Sequence, residues 1–187
     1  MRIIAGNFKG KKILEPKNKL TRPLKDLTKE SIFNIIKHSN KFMVSIEKSN
    51  ILDLFSGVGS FGLECLSRAS SNVFFIENYK EVLPVLKKNI TNLNCSNNSK
   101  VIEKDIFNQF DFHSLKMKFD IIFMDPPYKE KNLQVLLEKI TDSGILKKKG
   151  IIVIHRHKKE NDKFPNNFNI IEQKTYGISK IIFGNYS

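Results

Sequence analysis

From residue 51 onward, short apolar runs recur along the chain, separated by segments whose apolar positions follow helical spacing. Residues 51–55, 72–76, 100–104, 119–124 and 150–154 read as buried strands, because they are brief, rich in β-branched and aromatic residues, and bounded by turn signals. Residues 60–69, 79–93 and 130–142 read as helices, and residues 106–117 as a crossover of helical or loop form. Strands alternating with helices in this way predict an α/β fold: a doubly wound, mostly parallel, Rossmann-like sheet with right-handed crossovers. After Pro165 the β-like runs 168–172 and 179–183 follow each other with no helix between them, which predicts an antiparallel hairpin at one edge of that sheet.

The first 50 residues follow a different pattern. Residues 2–5 and 11–14 flank the glycine-bounded turn Gly6-Asn7-Phe8-Lys9-Gly10 and predict a small β-hairpin. A helix follows over 27–38, with Leu27, Ile32, Ile35 and Ile36 at roughly helical spacing. The chain therefore divides into an N-terminal hairpin-helix extension, 1–45, and a main domain, 46–187.

Composition adds a few bounds. With 187 residues and 40% hydrophobic content, the chain can bury one substantial domain with an appendage. No run approaches the roughly 18 apolar residues of a membrane span, and Met1-Arg2-Ile3-Ile4-Ala5-Gly6 lacks the apolar core of a signal peptide, so a cytoplasmic protein is expected. Cys65 and Cys95 are expected as free thiols; without paired Cys/His spacing, no metal is expected. The formal charge is +13, an excess that favours polyanions. All but four of the 32 basic residues are lysines in an Asn- and Ile-rich chain, so general residue bias contributes. Position is more informative: residues 1–50 hold 12 Lys+Arg against 4 Asp+Glu. Arg2, Lys9, Lys11, Lys12 and Arg22 are the candidate phosphate contacts, with Phe8 expected exposed at the hairpin tip as a stacking surface.

The candidate chemistry gathers at strand ends. The first strand of the sheet runs into Asp53-Leu54-Phe55-Ser56-Gly57-Val58-Gly59-Ser60-Phe61-Gly62, a G-x-G-x-x-G turn between strand and helix, with Glu77 lying 20 residues beyond Gly57. That pattern predicts a nucleotide-like ligand, whose ribose hydroxyls suit Glu77. Asp53 beside the glycine turn would oppose a pyrophosphate but suits the ammonium and sulfonium charges of S-adenosylmethionine. Asp105, followed by Ile106, ends the third strand and suits an adenine amino group. The expected cofactor contacts are thus Asp53, Gly57, Gly59, Glu77, Asp105 and Ile106. The fourth strand ends in Asp125-Pro126-Pro127-Tyr128, where two prolines stop ladder pairing and leave a carboxylate, carbonyls and a ring at a rigid corner. Acceptors around an exocyclic NH2 group can orient it for methyl transfer, and Tyr128 can stack on its base. These four residues are the candidate catalytic set. By themselves they suit amine acceptors on RNA, on DNA (adenine N6 or cytosine N4) or on protein.

Residues 53–64, Leu66-Ser67-Arg68-Ala69, Arg22-Pro23, Asp26, Lys29-Glu30, Phe33-Asn34 and residues 125–128 together resemble the bacterial 16S ribosomal RNA guanine-N2 methyltransferase D family, as does the opening Met1–Gly6. The resemblance spans most of the chain and is strongest through residue 128. It implies a class I methyltransferase that moves a methyl group from S-adenosylmethionine to guanine N2 in 16S ribosomal RNA, within the small subunit. It also implies S-adenosylhomocysteine as product and an extension that seats the RNA. A monomer is expected. A non-catalytic ribosome assembly factor is the alternative from another class. The chain departs from the family pattern at Leu24, usually threonine, at Leu27, often basic, and at His155-Arg156-His157, which stand where a glutamate is usual. These histidines are expected at the surface, with an RNA contact as the alternative.

Overall fold

The computed structural model describes residues 1–16, 24, 26–108, 110–127 and 129–186. Seven strands form one sheet: β1 (Asn50–Leu54), β2 (Asn72–Ile76), β3 (Ser99–Ile102), β4 (Phe119–Met124), β5 (Leu146–His157), β6 (Phe168–Tyr176) and β7 (Ser179–Tyr186), in the order β3-β2-β1-β4-β5-β7-β6. β1 to β5 are parallel; β7 is inserted antiparallel between β5 and β6. This is the Rossmann-like sheet the sequence predicts, with the antiparallel pair at its edge. The order reverses between β1 and β4, so a crevice opens beyond their carboxyl ends.

Four helices cover the sheet: α1 (Asp26–His38), α2 (Ser60–Ser67), α3 (Leu83–Asn92) and α4 (Leu133–Ser143). Alternate strand residues face opposite layers. Ile51, Val73, Phe75, Ile121, Phe123, Val153 and Phe183 pack with side chains from α1, α2 and α3, whereas Leu52, Leu54, Ile122, Met124, Ile152 and Ile182 pack with α4. Among the described residues of the crossover at 106–117 the regular structure is a 3-10 turn, Phe112–Leu115, whose Phe112 and Leu115 are buried against the α4 side.

The N-terminal extension shares the first of these cores. Ile3, Ile13, Leu24, Ile32, Phe33 and Ile36 are buried there with the sheet residues. Phe33 on α1 stacks on Phe61 of α2 at 5.1 Å between centroids, and Phe61 stacks on Phe123 of β4 at 4.0 Å. Arg68 caps the column, its guanidinium 4.3 Å from the Phe33 centroid. The expected two-stranded hairpin is short: one antiparallel bridge, Arg2 with Lys12, flanked by the Ile3 amide donating to the Lys11 carbonyl, the Ile13 amide to the Met1 carbonyl and the Gly10 amide to the Ile3 carbonyl, before the next amides turn to α2. The amides of Ile4 and Ala5 donate to the Glu64 carboxylate at 2.8 and 2.9 Å; those of Asn7 and Phe8 donate to the Ser67 carbonyl and hydroxyl. Glu64, fully buried in α2, also receives Arg68 Nε at 2.9 Å and lies 3.7 Å from the Lys29 ammonium.

Lys29 explains the orientation of α1. Its buried ammonium donates to the Arg2 carbonyl at 2.8 Å, so the helix turns Lys29 inward. Leu27, expected on the apolar face, is instead 68% exposed, and Phe33 takes the inward place. Burial lowers the Lys29 pKa, against the pull of Glu64 and Asp26. Phe8 departs from expectation too: its ring is half-buried against the core with the Lys11 ammonium 5.2 Å from its centroid. Cys65 and Cys95 are free and buried.

Candidate active site

The strand-end acids converge on the crevice between β1 and β4. Asp53 lies in β1 and is 1% exposed. Its Oδ2 accepts the Gly62 amide at 3.0 Å, tying the strand to the first turn of α2. Its Oδ1 is buried without a hydrogen-bond partner among the described residues. Burial pushes the Asp53 carboxyl well above the usual carboxylate range; the Gly62 amide opposes this, while the charges of Asp125 and Glu77 push it further. Asp125 and Glu77 therefore lie close enough for Asp53 to sense their charges. The chain leaves β1 through Phe55 in the left-handed region, φ 59°, a strain of about 1–3 kcal/mol for a non-glycine residue.

The glycines that follow have distinct uses. A Cβ on Gly57, at φ +54°, would meet nothing within 4 Å, so the backbone there faces open space that a ligand can approach. A Cβ on Gly59 would lie 2.6 Å from Leu86 Cδ1, and one on Gly62 2.3 Å from the Phe75 ring, so these two admit the close packing of the turn on α3 and of α2 on β2.

Glu77, just beyond β2, folds its carboxylate over the same turn. Oε2 accepts the Gly57 amide at 2.7 Å, and Oε1 the amides of Asn78 and Tyr79, both at 2.9 Å. Three of roughly four acceptor directions are thereby used, leaving capacity for one ribose hydroxyl. Asp105 is more heavily engaged: Oδ1 accepts the amides of Phe107 and Asn108, and Oδ2 the Asn108 side chain at 3.3 Å. Desolvation would raise its pKa, but these bonds, with one from the Asn78 side chain, hold it below the ordinary value. Ile106 beside it is buried on the α4 side of the sheet. The set fits an S-adenosylmethionine-like ligand best at Asp53, whose orphaned oxygen needs a donor, and at Gly57, where the backbone is open.

Asp125 follows β4, and its amide donates to the Leu54 carbonyl at 3.4 Å, which joins this corner to the end of β1. Pro126 is buried and Pro127 exposed. The Pro127 carbonyl accepts the Glu130 amide at 2.8 Å and Arg156 Nη1 at 3.1 Å, whereas no donor among the described residues takes the Pro126 carbonyl. Tyr128 and Arg22 lie outside the described residues. Arg2, Lys9, Lys11 and Lys12 are all exposed along the N-terminal extension.

The expectation that these histidines lie at the surface is overturned for His155, while His157 is half-buried. His155 is 6% and Arg156 1% exposed. Arg156 spans the corner, donating to the carbonyls of Pro127 and Glu130 and to Asp162, with Nη2 2.8 Å from Asp162 Oδ1. His155 Nδ1 lies 2.8 Å from Asp125 Oδ1 and its Nε2 2.9 Å from Ser179 Oγ. No local motif marks these partners. Only the strand register, which pairs Met124 with Ile154, brings residues 125 and 155 together.

Comparison with known proteins agrees with this geometry. A family model described as "Conserved hypothetical protein 95" matches residues 1–185. The ribosomal RNA small subunit methyltransferase D of Haemophilus influenzae is 33% identical over 183 residues, covering 95% of this chain and 90% of the relative. A solved candidate methyltransferase from Escherichia coli superposes with a TM-score of 0.80 at 25% identity, covering 100% of this chain and 97% of that one. A candidate methyltransferase solved with SAH shares the fold at 14% identity and a TM-score of 0.63, over 84% of this chain and 49% of that one.

Proposed function

The chain belongs to the Conserved hypothetical protein 95 family, that of ribosomal RNA small subunit methyltransferase D, and from that premise we propose that it methylates the exocyclic N2 amine of a guanine in 16S ribosomal RNA. S-adenosylmethionine supplies an electrophilic methyl group on a sulfonium that is an excellent leaving group. Asp53, Gly57, Glu77 and the Asp105–Ile106 turn hold that cofactor, with Asp53 Oδ1 receiving a cationic or donor group. The observation that carries the reading is the pairing of this orphaned oxygen with a catalytic corner whose Asp125 Oδ2 and Pro126 carbonyl have no donor among the described residues.

The N2 amine is a weak nucleophile because its lone pair is delocalised into the ring. Two acceptors at one corner engage its two N–H groups and fix the plane from which the lone pair must emerge, so catalysis is mainly positioning. Asp125 Oδ2 is also placed to take the proton the amine sheds. Tyr128 stacks on the base, which a paired substrate must first turn out of its helix. The exposed lysines of residues 1–45 seat the phosphate backbone within the small subunit, and the protein acts as a monomer.

The test uses labelled S-adenosylmethionine with small subunits, naked 16S RNA or DNA, followed by mapping of the modified nucleotide. Label at a single guanine N2 of 16S RNA is expected. Label confined to DNA would sink the reading, and cofactor binding without label on any substrate would make the protein a binding factor. Asp125→Ala should lower turnover by at least about 100-fold with cofactor affinity nearly intact, whereas Glu77→Ala should weaken cofactor binding about 10-fold.

A further inference from the structure

Asp125 has one oxygen to present to a substrate only if the other is held. A carboxylate swivels easily about χ2, a broad two-fold torsion, and the two oxygens then exchange places. In this chain the exchange is opposed from β5. His155 stands beside Asp125 on the neighbouring parallel strand, with Nδ1 2.8 Å from Oδ1, and the ring is buried. Across the antiparallel pair β5-β7, Ser179 Oγ lies 2.9 Å from the ring's other nitrogen.

We infer that His155 is a positioning residue for Asp125, held in one tautomer by Ser179, and that this pair sets which oxygen of the catalytic carboxylate faces the amine. The inference rests on the methyltransferase reading above. An ionised carboxylate only accepts, so Nδ1 must carry the hydrogen. In the neutral ring Nε2 then has a lone pair, and only the Ser179 hydroxyl can donate to it in this contact. Asp125 Oδ1 is thereby committed to the ring, and Oδ2 is turned to the crevice as an acceptor. The order carboxylate, imidazole, hydroxyl also occurs where a serine is a nucleophile, but Ser179 is only 5% exposed, so substrate does not reach it. The hydroxyl acts on the ring, and the ring acts on the carboxylate.

Three variants separate positioning from simple structural support. His155→Ala should lower kcat about 10–100-fold with KM for S-adenosylmethionine and RNA within about 3-fold, since the carboxylate stays but loses its hold. His155→Asn, which keeps an N–H donor near the Nδ1 position, should recover kcat to within about 5-fold of wild type. Ser179→Ala should fall between them. Equal loss in His155→Ala and His155→Asn, or a kcat for His155→Ala within about 2-fold of wild type, would overturn the inference. A second measurement does not depend on turnover: imidazole 15N shifts should show His155 as the Nδ1–H tautomer in the wild type and a changed pattern in Asp125→Asn. An Nε2–H tautomer in the wild type would reject the arrangement. Absence of methyl transfer by the wild type would instead reject the functional reading, with the tautomer still judging the contact.

Discussion

Asp53 combines two demands that conflict. Its side chain is buried beside two other acids, and burial first, then their charges, raises its pKa well above the free value. In the unfolded chain the same carboxyl ionises near its ordinary pKa, so between that pKa and the raised one the native state holds more protons than the unfolded state. Stability must therefore fall from about pH 4 upward toward the raised pKa. Asp53→Asn keeps an oxygen for the Gly62 amide and removes the charge. It should raise Tm by about 3–8 °C at pH 8 and by much less at pH 5, while weakening cofactor binding. Equal shifts at both pH values in a thermal melt would show that the charge is not the cause. Asp53, Glu77, Asp105 and Asp125 are legible in the sequence because each closes a recognisable strand. His155, Arg156 and Ser179 are not, since the partners that bring them to this corner lie 24 to 30 residues away and depend on which strands are neighbours.

At the scale of elements, helix and strand existence follows the apolar pattern closely, and β2 and β4 have the bounds the pattern predicts. Misreadings arise where a tertiary contact overrides local spacing. α1 turns Leu27 out and Lys29 in because Glu64 waits on α2, and the same carboxylate draws the amides of Ile4 and Ala5 onto α2 just beyond the short hairpin ladder. Glu64 is therefore the element-to-element fastener of the extension. Glu64→Ala takes the buried counter-charge from the Lys29 ammonium and the acceptor from two amides, and should cost about 3–5 kcal/mol in urea unfolding. The amides of Ile4 and Ala5 should lose their protection from hydrogen exchange in the same variant. Retained protection would assign the docking of the extension to its apolar side chains, Ile3 and Ile13 above all.

At the scale of the whole molecule, positive charge is displayed where the fold leaves it exposed. Lys9, Lys11 and Lys12 project from the extension while its apolar residues enter the core. Replacing all three with alanine should weaken RNA binding and reduce the salt dependence of log K by about 2 to 3, with cofactor affinity unchanged. An unaltered slope would place the RNA elsewhere. The strand order carries a different consequence, one of timing. β6 is synthesised before β7, yet its only sheet neighbour among the described residues is β7, which must slip between it and β5. Until β7 has taken its place, β6 has no ladder and the flank of β5 is bare, an opening for the wrong strand to pair. Glu172 and Lys174, and the register shift between Ile170 and Glu172, make β6 a poor template for such mispairing. The same insertion brings Ser179 to His155, so the chain of contacts from Asp125 through His155 to Ser179 is complete only when the sheet is closed.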